Sequence, residues 1–248
     1  WFATSDLTLG PDGAIYVADW CDKRTAHPDP DAAWDRSNGR IYRIVTKDMK
    51  PIGPFDLQKL STRKLVDMLD NPNKWFVRRA LLHLAELQDK SVHARLRKQL
   101  NSSEDPRAAL NSLFALYGGG GLDEVLAQQL LHHPLAPLRK WIVRYLGDAD
   151  GIAPQSASLL ADLAANEQDV MVLSQLACTA KRLPSSSALP IVWNLVRNGQ
   201  CARDPQLPLL IWWAIEGHAI DGLDAILDFL EMGGPPRRKS CAKPFCRG

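Results

Sequence analysis

The densest cluster of residues able to do chemistry lies near the start of the chain. It runs Asp19-Trp20-Cys21-Asp22-Lys23-Arg24, through His27, to Asp35-Arg36. Carboxylates, a guanidinium and an imidazole in one loop can border a substrate or hold a cation, and loops carry function more often than cores do. Asp19, Asp22, Arg24 and His27 are therefore the candidate contacts for a substrate, cofactor or cation. A plainer account carries more weight: Asp35 pairs with Arg36, Asp19 caps a turn, and Trp20 and Trp34 pack a sheet, since exposed ion pairs and Asx-turns are common. A hydrolase built on the Asp19–His27 loop ranks last among the functions considered.

Elsewhere the chemical signals are thin. His83 and His93 are not at a metal-ligand spacing, and the adjacent His132 and His133 point apart on a helix. No metal site is expected. No His-Glu-x-x-His, phosphate loop or Gly-x-Ser-x-Gly elbow occurs. The run Gly118-Gly119-Gly120-Gly121 lacks a following Lys-Ser/Thr and reads as a helix stop and flexible joint. Five cysteines, Cys21, Cys178, Cys201, Cys241 and Cys246, make no disulfide framework by spacing. Cys178, in an apolar helical pattern, reads as a buried inert thiol. Trp75, Trp141, Trp193, Trp212 and Trp213 have apolar neighbours and read as packing between helices rather than as a binding groove.

The elements that would position these residues fall into two kinds. Residues 1–9 and 14–20 alternate apolar and polar around Gly10-Pro11-Asp12-Gly13, and residues 39–45 add a third run, so residues 1–45 predict a β-meander. Three strands bury too little to stand alone, which makes the segment the expected end of a larger β-domain. Residues 46–55 read as a polar linker with Pro and Gly. From residue 56 to 232 the chain reads as short amphipathic helices separated by breakers: 74–88, 91–100, 106–117, 122–131, 137–146, 155–165, 170–183, 188–197, 206–216 and 222–231. In the first of these, Val77, Leu81 and Leu84 form the apolar face and Trp75, Leu82 and Leu87 widen it.

The helices pair, and the breaker inside each pair recurs: Asn71-Pro72, Asp105-Pro106, His133-Pro134, Glu167-Gln168-Asp169 and Asp204-Pro205. An Asp before Pro can cap free amides while the proline, at the first helical position, loses no bond. Pro72 and Pro106 are 34 residues apart, Pro106 and Pro134 are 28, and Pro134 and Pro205 are 71, or two periods with one degenerate breaker. Helical pairs at such a period are the mark of an α-solenoid. The predicted fold class is thus mainly α, a solenoid preceded by the terminal strands of a β-domain.

Composition is that of an ordinary globular chain, with 46% apolar and 23% charged residues. The net charge of +2 hides an asymmetry: residues 235–248 hold Arg237, Arg238, Lys239, Lys243 and Arg247 with no acid, leaving the rest at −3. That distribution argues against nucleic-acid binding, which needs basic residues on a folded face. Residues 233–248 read as a basic tail without a fold of its own. The longest strongly apolar run, 207–215, is too short to cross a bilayer.

Two resemblances follow from the quoted residues. Asn71-Pro72 with Val77-Arg78-Arg79-Ala80-Leu81-Leu82-His83-Leu84, and Asp105-Pro106-Arg107-Ala108-Ala109-Leu110, resemble HEAT (armadillo-type) repeats; His133-Pro134 with Leu138-Arg139-Lys140-Trp141 fits less tightly, and the last two pairs lack the Arg. Residues 10–20, Trp34-Asp35-Arg36 and 39–44 are similar to the end of the β-propeller in planctomycete-type membrane-bound dehydrogenases, which resemble quinoprotein glucose and sorbosone dehydrogenases. In that family the propeller is followed by HEAT-like repeats and a cytochrome c domain. The resemblance implies a fragment of such a protein, with pyrroloquinoline quinone and haem c held in parts outside this sequence, and an exported, periplasmic or cell-envelope location. The chain departs from the family in having no Cys-x-x-Cys-His: Cys241-Ala242-Lys243-Pro244-Phe245-Cys246 has the wrong spacing and no following His, hence no axial ligand for haem iron. The expectation is a non-catalytic fragment; the alternative is a HEAT-repeat scaffold for a protein partner with no enzymatic parent.

Overall fold

A computed structural model describes residues 4–19, 39–50, 52–148 and 151–231. Among these the protein is mainly α-helical, with one small antiparallel sheet. The chain divides into two compact units, the first ending at Gly121 and the second beginning at Leu122.

In the first unit, β1 (Thr4–Leu9), β2 (Ile15–Asp19) and β3 (Arg40–Ile44) pair in the order β1-β2-β3. The register sets Leu7, Val17 and Tyr42 abreast, and Leu9, Ile15 and Ile44 beside them, so these six side chains share one face. The β1–β2 turn is tightly determined. Gly10 donates to the Ala14 carbonyl at 2.8 Å, and Gly13 takes φ +80°. A Cβ on Gly10 would lie 2.3 Å from the Tyr16 ring. Asp12 accepts from the Ala14 amide, from Tyr16 Oη at 3.2 Å and from Arg43 Nε at 2.7 Å, tying the turn to both β2 and β3. Desolvation raises the Asp12 pKa, but the hydrogen bonds from Arg43, Ala14 and Tyr16 outweigh it and hold the carboxyl below its ordinary value.

Helices α1 (Thr62–Asp67), α2 (Lys74–Leu87), α3 (His93–Ser102) and α4 (Pro106–Gly118) complete this unit. Asn73 caps α2 by accepting from the Trp75 amide, and its Nδ2 donates to the Gly10 and Pro11 carbonyls at 3.0 and 3.1 Å. One side chain thus starts a helix and clamps the hairpin turn. The chain between β3 and α1 also contributes packing: Phe55 stands edge-on to Trp75, with Phe76 beside it. On α2 the buried residues are Val77, Ala80 and Leu84, whereas Leu82 and Leu87 are exposed. The wider apolar face expected from the sequence is corrected accordingly, because at 100° per residue position 82 lies far around the helix from position 77.

The second unit contains α5 (Glu124–Leu130), α6 (Ala136–Asp148), α7 (Pro154–Asn166), α8 (Val170–Ala180), α9 (Ser185–Arg197), α10 (Leu207–Gly217) and α11 (Leu223–Glu231). Alternate helices pack on one another: α6 on α8 and α8 on α10, with α5 touching α7 and α7 packed on α9. Leu138, Ile142 and Val143 of α6, Leu173, Leu176 and Ala177 of α8, and Ile191, Val192 and Leu195 of α9 form the core. Where α6 meets α8, a Cβ on Gly147 would lie 2.4 Å from Thr179 Cγ2, so only glycine allows this approach.

Candidate functional site

Of the loop residues singled out in the sequence, Asp22, Arg24 and His27 lie outside the described residues. Asp19 ends β2, buried, with Thr4 and Arg40 opposite it in the register. No group of three or more His, Cys, Asp or Glu able to hold a metal ion occurs among the described residues. Among them, too, no helix is long and apolar enough to cross a membrane.

The helix-pair turns form a polar ladder in the second unit. Arg139 grips Glu167 with two parallel bonds, Nε to Oε2 and Nη2 to Oε1, both 2.8 Å. Its Nη1 donates to the carbonyls of His133 and Pro134 in the preceding turn. Glu167 Oε1 also accepts from the Gln168 and Asp169 amides at 2.9 Å, while Asp169 caps α8. Farther on, Asn198 Nδ2 donates at 3.0 Å to the carbonyls of Ala164 and Glu167. Burial raises the Glu167 pKa, but the Arg139 bond and the two amides overcome it and keep the carboxyl below its ordinary range. His133 is pushed the other way from charging, by burial first and then by Arg139, and its Nδ1 accepts from the Leu135 amide as a neutral ring would. This cluster has the look of catalytic machinery, yet the Arg139 guanidinium and the Glu167 carboxylate are both taken up by structural partners. It is a clasp between successive turns.

A site with room for an apolar group lies between α9 and α10. A cleft of about 260 Å³ is lined by Leu195, Val196, Cys201, Ala202, Pro208, Ile211, Trp212 and Ile215. That volume is below the usual range for whole small-molecule sites and suits one large apolar side chain. Trp212 is 57% exposed and Trp213 43%, which corrects the expectation that both are packed between helices. The buried stripe of α10 is already Leu207, Ile211 and Ala214, and a helix has room to bury only one stripe. Trp75, Trp141 and Trp193 are half-buried. Trp193 stacks on Phe229 at 3.9 Å, and Arg79 and Arg144 lie over the rings of Trp75 and Trp141.

Of the two described thiols, Cys178 departs from the buried position expected from the sequence. Cys178 is exposed, because α8 buries Val172, Leu173, Leu176, Ala177 and Ala180 and turns Met171 and Cys178 outward. Cys201 is the buried one; burial, then the charge of Asp204, pushes its thiol up to about 11. A thiol so held is protonated at neutral pH and is no nucleophile. Nor does the cleft suit pyrroloquinoline quinone, whose carboxylates need cations or free amides; its lining carries no Lys, Arg or His. The described thiols likewise stand in no haem-attachment motif. What this arrangement can do is take up an apolar group.

Sequence reasoning placed Arg139 in a repeat motif and Glu167 in a breaker without joining them. The available signal was their 28-residue separation, equal to the Pro106–Pro134 spacing. No family model matches this chain, and no curated protein matches it in sequence.

Proposed function

We propose that this chain is a non-catalytic interaction scaffold, a HEAT-like α-solenoid whose α9–α10 cleft receives an apolar side chain of a protein partner. The observation that carries this reading is the ladder of side-chain-to-carbonyl bonds repeating at about one helical pair: Thr179 to Val143, Asn194 to Ala161, Asn198 to Ala164 and His218 to Ala180, at separations of 36, 33, 34 and 38 residues. Stacked copies of one supersecondary unit produce that periodicity, and such stacks serve mainly as binding surfaces.

The scaffold belongs, in this proposal, to a quinoprotein-type membrane-bound dehydrogenase whose propeller and haem domain lie outside this sequence. Two points support it: the resemblance of residues 10–44, and a sheet whose apolar face leaves Leu7, Tyr42 and Ile44 exposed, as strands awaiting a larger β-domain would. Sequencing the flanking DNA tests this parentage. Upstream propeller blades and a downstream Cys-x-x-Cys-His are expected; their absence on both sides leaves the scaffold and removes the dehydrogenase. Incubating the purified chain with pyrroloquinoline quinone, aldose sugars and a redox dye is expected to give no turnover. Dye reduction above the protein-free control would overturn the non-catalytic reading.

A further inference from the structure

The stretch from Asp204 to Glu231 contains Asp204, Glu216, Asp221, Asp224, Asp228 and Glu231 and not one Lys or Arg. Its last helix, α11, is seated by the buried Ile226 and Phe229, and Phe229 stacks on Trp193 of α9 under the Arg197 guanidinium. At about 100° per residue, Phe229 stands about 60° to one side of Ile226, and Leu230, Leu223 and Leu227 stand about 40, 60 and 100° to the other. Those three leucines are 63, 48 and 46% exposed. At positions i, i+4 and i+7 they make one apolar stripe that extends the buried face along a flank. Glu231, Asp224 and Asp228 follow at about 140, 160 and 200°, and all three are exposed. Around the helix the order is therefore core, leucine stripe, carboxylates.

We propose that this flank of α11 binds a basic amphipathic helix of a partner protein. The partner's apolar stripe lies on Leu223, Leu227 and Leu230, and its Lys or Arg side chains reach Asp224, Asp228 and Glu231. The surface is distinct from the α9–α10 cleft, since none of its residues lines that cleft. A helix is the fitting shape. Side chains at i, i+4 and i+7 form a ridge that another helix receives in its groove, and elsewhere in this unit it is helices that cover one another, α8 on α6 and α9 on α7. Charge decides the sign of the partner. A second copy would set these carboxylates against the same carboxylates, and an anionic lipid surface would meet them with like charge. A basic helix turns that repulsion into attraction. The leucines supply the apolar burial, while the carboxylates at the rim orient the partner and exclude acidic ones. The leucine stripe runs only about 10 Å along the axis, so the contact is a modest one in which charge does most of the selecting.

The probe is a synthetic helix of about 18 residues, with Leu at helical spacing on one face and Lys elsewhere. Two controls accompany it: the same composition in scrambled order, and the same pattern with Glu in place of Lys. Titration against the full chain gives affinity, and hydrogen exchange gives location. The Leu/Lys helix should bind roughly tenfold more tightly than either control, should slow exchange of the α11 amides, and should weaken at about 0.5 M NaCl, where exposed charges are screened. D228K/E231K puts cations in the last turn, where the helix dipole favours them, so α11 stays folded. This variant should reverse the preference, towards the Leu/Glu peptide. Equal binding of the scrambled peptide would overturn the proposal, as would an unchanged preference in D228K/E231K or protection confined to the α9–α10 cleft. Protection of α11 that grows with protein concentration without any peptide would give the face to a second copy. Binding seen only in a chain ended after Gly234 would give it to residues 235–248. Either result would overturn the proposal too.

Discussion

Glu167 shows how a single carboxylate can be structural while resembling a catalytic one. It is buried, fully hydrogen-bonded and ion-paired, so removing its charge leaves Arg139 without its partner. Glu167→Ala should destabilise the second unit by about 3 kcal/mol, measured by urea denaturation followed by circular dichroism. The pH dependence follows from the same atoms. Glu167 has a folded pKa below its ordinary value of 4.5, so its contribution is complete above that pH and is lost as pH falls through the folded value. His133 is also depressed, from 6.5, so the unfolded chain takes up its proton first and stability begins to fall below that pH. A denaturation series from pH 7 to pH 3 should show both losses, the one at lower pH absent in Glu167→Gln. Cys201 works in the opposite range. Its folded pKa is raised from 9.0 to about 11, so the stability it contributes is intact below 9 and declines between those values. Iodoacetamide at pH 8 should modify Cys178 in the folded chain and leave Cys201 untouched until denaturant is added; mass mapping distinguishes the two.

At the scale of elements, the starts of helices were legible because their caps are local. Asp105 and Asp169 each accept from amides two or three residues on, and each stands at the head of a helix, whereas Asp123, which caps α5, falls inside the run read as beginning at residue 122. The strands were equally legible from alternation, and β1, β2 and β3 fall inside the expected runs. The α1 helix was not picked out as a separate element, since its six residues are too few to show a period. Which face of a helix is buried was read less well, as Leu82, Leu87 and Cys178 show, because that depends on the neighbours. Asn73 joins two elements, and Asn73→Ala should cost about 1–2 kcal/mol for the lost cap alone. It should also raise hydrogen exchange in the β1–β2 turn, an effect that a simple cap would not produce. Gly147→Val forces a side chain against Thr179 where α6 crosses α8. A loss of about 1–3 kcal/mol is expected from its chemical denaturation curve, and Thr179→Ala should recover part of it.

For the whole molecule, the division at Gly121 predicts that residues 122–248 expressed alone keep a helical spectrum and melt cooperatively; a non-cooperative melt would contradict the second unit's having its own core. The sequence by itself determined what is short-range: the alternation of each strand, the breakers ahead of helices and the caps that start them. Each of these rests on residues within a turn or two of one another. Only the tertiary structure decided which distant residues meet. It joined Arg139 to Glu167, buried Cys201 instead of Cys178, and left Trp212 and Trp213 exposed, with Trp212 lining an apolar cleft. Periodicity says that a helix has an apolar stripe, but the stripe of α10 has room for only some of its apolar residues. Which are covered is settled by the helices packed against it, and those left over stay exposed on its surface.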